Sequence, residues 1–220
     1  MRLRIDKNSY GTVLFVYAVS ALCIFACCKL INITWLKWIL SAVFFGLSVF
    51  ITYFFRVPKR QEAGSGTLVS SVADGKVVIC EKVFEKEYLK RDCIQVSVYM
   101  DFFDVHVNFW PVTGEVTYYK YHPGRYLLAF LPKSSELNEH SSTCIMTKDG
   151  KEVFFKQIAG TFARRIVNYA EPGMQVEAGK QCGVIKFGSR IDMFLPLDAD
   201  IQVEIGDYTR ACETIIANLK

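Results

Sequence analysis

Two uncharged apolar runs, Thr12 to Cys28 and Trp38 to Phe55, restrict what the first quarter of this sequence can become. They are 17 and 18 residues long, which as helix is about 26–27 Å, close to the hydrocarbon thickness of a bilayer. Only a short link separates them, and it carries Lys29, Asn32, Thr34 and Lys37. The pattern predicts a transmembrane helical hairpin. Arg2, Arg4 and Lys7 precede the first run, while Arg56, Lys59 and Arg60 follow the second. Basic residues outside both runs put both ends of the hairpin in the cytoplasm, although the two lysines of the turn dilute that asymmetry. Trp35 and Trp38 suit an interfacial belt. A cleaved signal or lipoprotein leader is the competing reading, carried by Ile24-Phe25-Ala26-Cys27. The bulky Phe25 and the second apolar run count against it. Two buried core helices are a third reading.

The hydrophobic share of 51% is concentrated before residue 56, so it reflects an anchor and not an unusually apolar core. The rest of the 220 residues is enough for one domain of ordinary size. A net charge of +4, with no dense Lys/Arg run, argues against a nucleic-acid partner. Beyond Cys23, Cys27 and Cys28 in the first run, the cysteines are scattered singly, at 80, 93, 144, 182 and 212. There is no C-x-x-C, and the three histidines show no zinc-type spacing, so no metal site is expected. Scattered single cysteines fit a reducing compartment, where they pack as small hydrophobes.

Gln61 to Thr67 is polar and glycine-rich, and reads as a linker. It divides a membrane anchor, residues 1–60, from a second domain, residues 61–220. Beyond it the pattern becomes β-type. Val77 to Cys80, Ile94 to Tyr99, Tyr126 to Leu131, Cys144 to Thr147 and Val153 to Phe155 are short runs rich in β-branched and aromatic residues. Gln157 to Tyr169 reads as strand or short helix. Gly173, Gly179, Gly183 and Gly188 then punctuate the final third. This spacing resembles the glycine-punctuated sheets of lipoyl and biotinyl domains and of sugar-phosphotransferase carriers. The expected fold is mainly β: a compact antiparallel domain behind an N-terminal helical hairpin.

Four motifs stand out in this domain: Ala73-Asp74-Gly75-Lys76, Asp104-Val105-His106-Val107-Asn108, Gln157-Ile158-Ala159-Gly160 and Phe187-Gly188-Ser189-Arg190. Together they resemble the phosphatidylserine decarboxylase family in its short prokaryotic form. The resemblance runs from about residue 54 to 215. It implies self-cleavage between Gly188 and Ser189 by an N-to-O acyl shift, in which the serine hydroxyl attacks the glycine carbonyl. Glycine suits that position because it leaves its carbonyl open and tolerates strained angles. Elimination and hydrolysis then turn Ser189 into a pyruvoyl group, the covalent cofactor of the family. Its ketone takes the substrate amine and accepts electron density as carbon dioxide leaves, the work pyridoxal phosphate does elsewhere. The implied substrate is phosphatidylserine and the product phosphatidylethanolamine. The implied partners are membrane lipid and the two cleavage chains, 1–188 and 189–220, held together, with a homo-oligomer left open.

The resemblance also assigns roles. Ser189 needs a base, and His106 is the candidate. Asp104, His106 and Asn108 share one face if the run is a strand, and a nearby carboxylate raises an imidazole pKa and fixes its tautomer. Asp74 is implied as the third member of a triad-like arrangement, against the ordinary reading of Asp-Gly as a turn. His122, in Tyr121-His122-Pro123-Gly124, is a candidate for substrate binding, with a plain turn residue as the alternative. Arg164 and Arg165 suit a phosphodiester, or pair with acidic side chains. Val72 stands where the family usually has proline, and Phe109 where a second proton-transferring group is found in longer members. Three rival functions remain: a phosphocarrier using His106, a serine hydrolase using Ser189, His106 and Asp74, and a decarboxylase of a related aminophospholipid.

Overall fold

In a computed structural model of the protein, the described residues are 4–61, 66–127, 134–161, 165–186 and 189–220, without the side chains of 134 and 136. The chain divides into two compact units, Met1–Pro58 and Lys59–Lys220. Most of the expected linker lies outside the described residues.

The first unit holds β1 (Arg4–Ile5), α1 (Tyr10–Leu30), α2 (Thr34–Phe54) and β2 (Arg56–Val57). Each helix has 21 residues and is apolar enough to cross a membrane, at about 31 Å of length. Their apolar residues run around the whole circumference, and Leu14, Phe15, Leu22, Trp38 and Phe45 are all more than 60% exposed. Two helices apolar on every side and little covered by protein are compatible with membrane association. The two pack as a hairpin. Tyr17 Oη and Thr52 Oγ1 lie 2.6 Å apart between them, and β1 pairs antiparallel with β2 below.

The second unit is mainly β, as the sequence leads one to expect. In chain order its strands are β3 (Leu68–Ser70), β4 (Gly75–Glu85), β5 (Arg91–Met100), β6 (Val107–Phe109) and β7 (Gly114–His122). After the short α3 (Ser134–Leu137) come β8 (His140–Met146), β9 (Glu152–Ala159), β10 (Arg165–Asn168), β11 (Gln175–Val176) and β12 (Gln181–Lys186). The last four are β13 (Ser189–Leu195), β14 (Asp200–Ile201), β15 (Tyr208–Thr209) and β16 (Ile215–Asn218). Eight of them form one antiparallel sheet in the order β11-β7-β8-β9-β13-β5-β4-β15. Two three-stranded sheets, β10-β12-β6 and β14-β16-β3, complete the unit.

Alternation along β13 sorts the large sheet into two faces. Ile191, Met193 and Leu195 belong to the main core, with Val96, Val98, Met100 and Phe155 from neighbouring strands. Val69, Ile185 and Ile216 of the smaller sheets join the same cluster, so those sheets cover this face. The other face carries a smaller cluster of Cys93, Cys144, Phe154 and Phe194. Several cysteines are thus buried core residues, and burial pushes the thiols of Cys93 and Cys144 up to about 11 and 12. The expected strand at Tyr126 to Leu131 is not found in its described part. Tyr126 and Leu127 instead run beside Asn138, whose side-chain amide brackets the Leu127 backbone at 2.9 and 2.8 Å.

Candidate active site

Ser189 is the first residue of its strand, and the strand before it in sequence belongs to a different sheet. β12 ends at Lys186 in a three-stranded sheet, and β13 begins at Ser189 in the eight-stranded one. Phe187 and Gly188 connect them and lie outside the described residues. Ser189 itself is fully buried, paired with Met100 of β5 on one side and Ala159 of β9 on the other. Its hydroxyl donates to Met100 Sδ at 3.7 Å. A thioether is a weak acceptor, so this contact places the hydroxyl without tying it up strongly.

His106 is also fully buried. Its carbonyl accepts the backbone N–H of Ile185 at 3.2 Å, which holds it to β12 four residues before Ser189. Its Nδ1 donates to the backbone carbonyl of Asp104 at 3.0 Å. That bond fixes the tautomer, and in it Nε2 carries the lone pair a base requires. The main chain of Asp104 thus holds the ring at Nδ1. The Asp104 carboxylate accepts the Asp101 N–H at 2.8 Å and closes a turn, because β6 begins only at Val107 and the assumed strand face does not reach back to residue 104.

Asp74 is likewise engaged elsewhere. Its Oδ2 lies 2.5 Å from Arg60 Nη2, and its Oδ1 accepts the Ala211 N–H at 2.8 Å. Arg60 reaches Glu213 as well, at 3.2 Å. Both carboxylate oxygens accept from these groups. Arg60, a membrane-flanking charge in the sequence, is its ion-pair partner. The neighbouring glycine is required by space: Gly75 has φ +148, and a Cβ there would run into the Tyr99 carbonyl. Asp-Gly here ties β4 against β5, and the Val72 carbonyl receives the Phe109 N–H at 3.0 Å.

A row of buried polar side chains on the Ser189 face escaped the sequence reading. Asn108 Oδ1 accepts from Gln157 Nε2 at 2.8 Å, and Gln157 Oε1 from Ser141 Oγ at 2.9 Å. Asn108 Nδ2 points to the same Met100 sulfur that Ser189 contacts, at 3.9 Å. All three of Asn108, Gln157 and Ser141 are fully buried, and such satisfied networks fix geometry. Asn108 and Gln157 lie inside two of the quoted motifs, which was the available signal. Arg165, exposed, opens β10 opposite Lys186; Arg164 lies outside the described residues.

Amino-acid comparison decides the lineage of this arrangement. A sequence profile described as phosphatidylserine decarboxylase matches residues 47–217. The chain belongs to the phosphatidylserine decarboxylase family. It is 49% identical over 173 residues to the phosphatidylserine decarboxylase proenzyme of Amoebophilus asiaticus, covering 79% of this chain and 77% of that one. The proenzymes of Parabacteroides distasonis and Desulfotalea psychrophila are 42% and 37% identical. They cover 79% and 82% of this chain, and 79% and 85% of their own length is matched. Family membership gives Ser189 and His106 a shared context, but His122 departs from the role expected of it. His122, His140, Ile158 and Arg190 are successive register partners across β7, β8, β9 and β13. His122 thus lies on the sheet face opposite Ser189.

That far face has its own charged centre. Glu87 Oε1 accepts from His122 Nε2 at 2.7 Å, and Oε2 lies 2.7 Å from Lys156 Nζ and accepts from Ser142 Oγ at 2.9 Å. Burial pushes the Glu87 carboxyl upward, but the hydrogen bond and charge of Lys156, with the bonds from His122 and Ser142, outweigh it and hold its pKa at about 2. Beside it, Arg190 and Asp192 form a fully buried ion pair.

Proposed function

We propose that this chain decarboxylates phosphatidylserine to phosphatidylethanolamine after opening its own Gly188–Ser189 bond. The reading is carried by family membership together with one local observation: Ser189 is a buried, weakly hydrogen-bonded hydroxyl at the first residue of a central strand. A pyruvoyl group in place of Ser189 fits there. It has the size of the serine residue, carries no charge to bury, and would lie between Met100 and Ala159 with Asn108 nearby. When formed, it supplies the electron sink for loss of carbon dioxide.

The chain's own residues divide the remaining work. His106 Nε2 accepts the Ser189 proton as the hydroxyl attacks the Gly188 carbonyl; an unassisted serine is a poor nucleophile. The Asp104 carbonyl keeps the proton on Nδ1, so the ring stays in the tautomer that can do this. With Phe109 in place of a second titrating group, His106 also serves as the proton donor in turnover. Asn108 and Gln157 hold the Met100 side of the site in position. Asp74 acts at a distance, fastening the Val72–Gly75 segment through Arg60 and Ala211. Arg165 offers a guanidinium to the phosphodiester. The apolar hairpin anchors the domain at the cytoplasmic face of the cell membrane and so raises local substrate concentration.

Gel analysis and mass spectrometry of purified protein test this reading. The 25.1 kDa chain should appear as pieces of about 21 and 4 kDa, from 188 and 32 of its 220 residues. The small piece should lack a free amino terminus, and Ser189→Ala should remain whole. A purified, active wild type that is a single uncut chain would sink the mechanism.

A further inference from the structure

Two histidines without a part in the proposed reaction meet on the far face of the eight-stranded sheet. His122 ends β7 and His140 begins β8, and their rings stack with centroids 4.4 Å apart and planes 13° from parallel. Glu87, from the turn between β4 and β5, reaches the same point. One ligand atom from each of the three lies within 4.8 Å of the others. Two imidazoles and a carboxylate form a donor set suited to zinc and its first-row neighbours.

The surroundings resemble those of a metal site. His140 Nδ1 donates to the Asn138 carbonyl at 2.7 Å, which leaves Nε2 as its ligating nitrogen. Such a bond from the remote ring nitrogen is the usual device for orienting a ligating histidine. The Glu87 oxygen that faces away from His122 is held by Ser142 and Lys156. The cluster borders a cleft of about 760 Å³, so an ion has a way in and a solvent molecule can complete its coordination. Lys156 is the group that opposes a cation here. Across the cleft wall, however, Glu81, Glu85 and Glu87 outnumber Lys86 and Lys156, and Glu85 Oε1 lies 3.5 Å from the Lys156 ammonium.

We infer that Glu87, His122 and His140 form a divalent transition-metal site, suited to Zn2+, on the sheet face opposite Ser189. The ion would enter as the Glu87–His122 hydrogen bond opens from 2.7 Å to the roughly 3.3 Å between ligands of a tetrahedral zinc. His122 changes tautomer, its ring proton passing from Nε2 to Nδ1 by exchange with solvent, and the metal takes the Nε2 lone pair. The bound ion joins the β4–β5 turn to β7 and β8 and acts as a structural clamp, separate from the lipid chemistry.

The test uses untagged full-length protein in detergent, with Ser189→Ala to keep every chain whole. After chelator treatment and dialysis, ZnSO4 is titrated by calorimetry and the melting temperature is followed. One Zn2+ should bind per chain, and at a hundredfold excess over Kd the melting temperature should rise by roughly 5–10 °C. His140→Ala and His122→Gln should each weaken binding at least about tenfold to a hundredfold. If His140→Ala fails to fold, His122→Gln, whose side chain is 23% exposed, carries the test. The idea is overturned if no one-to-one binding is found, or if His122→Gln binds as tightly as its parent. Neither result depends on lipid turnover, so it stands apart from the proposed reaction.

Discussion

Breaking the buried ion pair beside Ser189 should cost more than removing it entirely. Arg190 Nε lies 2.7 Å from Asp192 Oδ1 and Nη2 lies 3.0 Å from Oδ2. Both side chains are 0% exposed. Ser135 of α3 donates to Asp192 Oδ2 at 2.8 Å and also contacts Arg190 Nη2. Asp192→Ala leaves the guanidinium buried without its carboxylate. Loss of one partner of such a pair costs about 3–5 kcal/mol, whereas replacing both by apolar groups of similar volume is often neutral or better. For a unit of this size each kcal/mol is worth about 2–4 °C. Asp192→Ala should therefore melt roughly 6–20 °C below its parent, and the double variant Arg190→Met/Asp192→Leu within about 5 °C of it. The assay is a thermal melt in detergent at one fixed scan rate, in a Ser189→Ala background so that cutting does not alter the sample. If the single variant is no less stable than the double, the cost does not lie in the loss of the carboxylate from a buried guanidinium and the argument is wrong.

His106→Ala should accumulate uncut chain on a gel; full processing with full activity would remove His106 from the mechanism. With chelator present, Glu87→Gln should flatten the acid limb of stability. A carboxyl held at about 2 contributes stability above its unfolded pKa of 4.5 and loses it as pH falls toward 2, up to about 3 kcal/mol. Melts of wild type and variant between pH 6 and pH 2 (about one unit apart) read this directly, and parallel curves would count against it. Gly183→Ala would press a Cβ onto the Val167 carbonyl and bring it within 2.9 Å of Gln157 Nε2. It should destabilise by roughly 1–3 kcal/mol in denaturant melts and slow self-cleavage in a time course.

The helical hairpin was legible because two long uncharged apolar runs stand out by composition alone. The runs read as Thr12–Cys28 and Trp38–Phe55 lie within or nearly within helices Tyr10–Leu30 and Thr34–Phe54. Strands were legible where β-branched and aromatic residues cluster, as in β5, even with Gln95 and Ser97 on one of its faces. Val77 to Cys80 marked a fragment of β4, which continues to Glu85, since the far face carries Glu81 and Glu85 along the cleft. β7 went unread because the exposed Glu115, Lys120 and Tyr121 break up its apolar pattern, although Tyr119 packs on the main core and Tyr118 on the smaller cluster. At the candidate site the motifs pointed to His106 and Ser189 as residues. Their partners depend on which backbone group comes close, and no spacing rule reveals that the Asp104 carbonyl meets His106 or that Arg60 takes Asp74.

β13 is paired along its length on both sides, with seven register partners on β5 and six on β9. Residues 189–220 also supply β15 and β16, which pair with β4 and β3 of the larger piece, and β14, which pairs with β16. A chain opened at Gly188–Ser189 would therefore keep its shape while losing its continuity. Before the cut, the last strands return to their places as part of one molecule. Afterwards the same step is a meeting of two molecules, and it carries an association penalty of about 4–15 kcal/mol. Unfolding the uncut form would be reversible at any dilution, while recovery of the cut form would depend on concentration and fail in dilute solution. Maturation would make the fold a single-use object, assembled once as one chain and persisting only for as long as it is never taken apart.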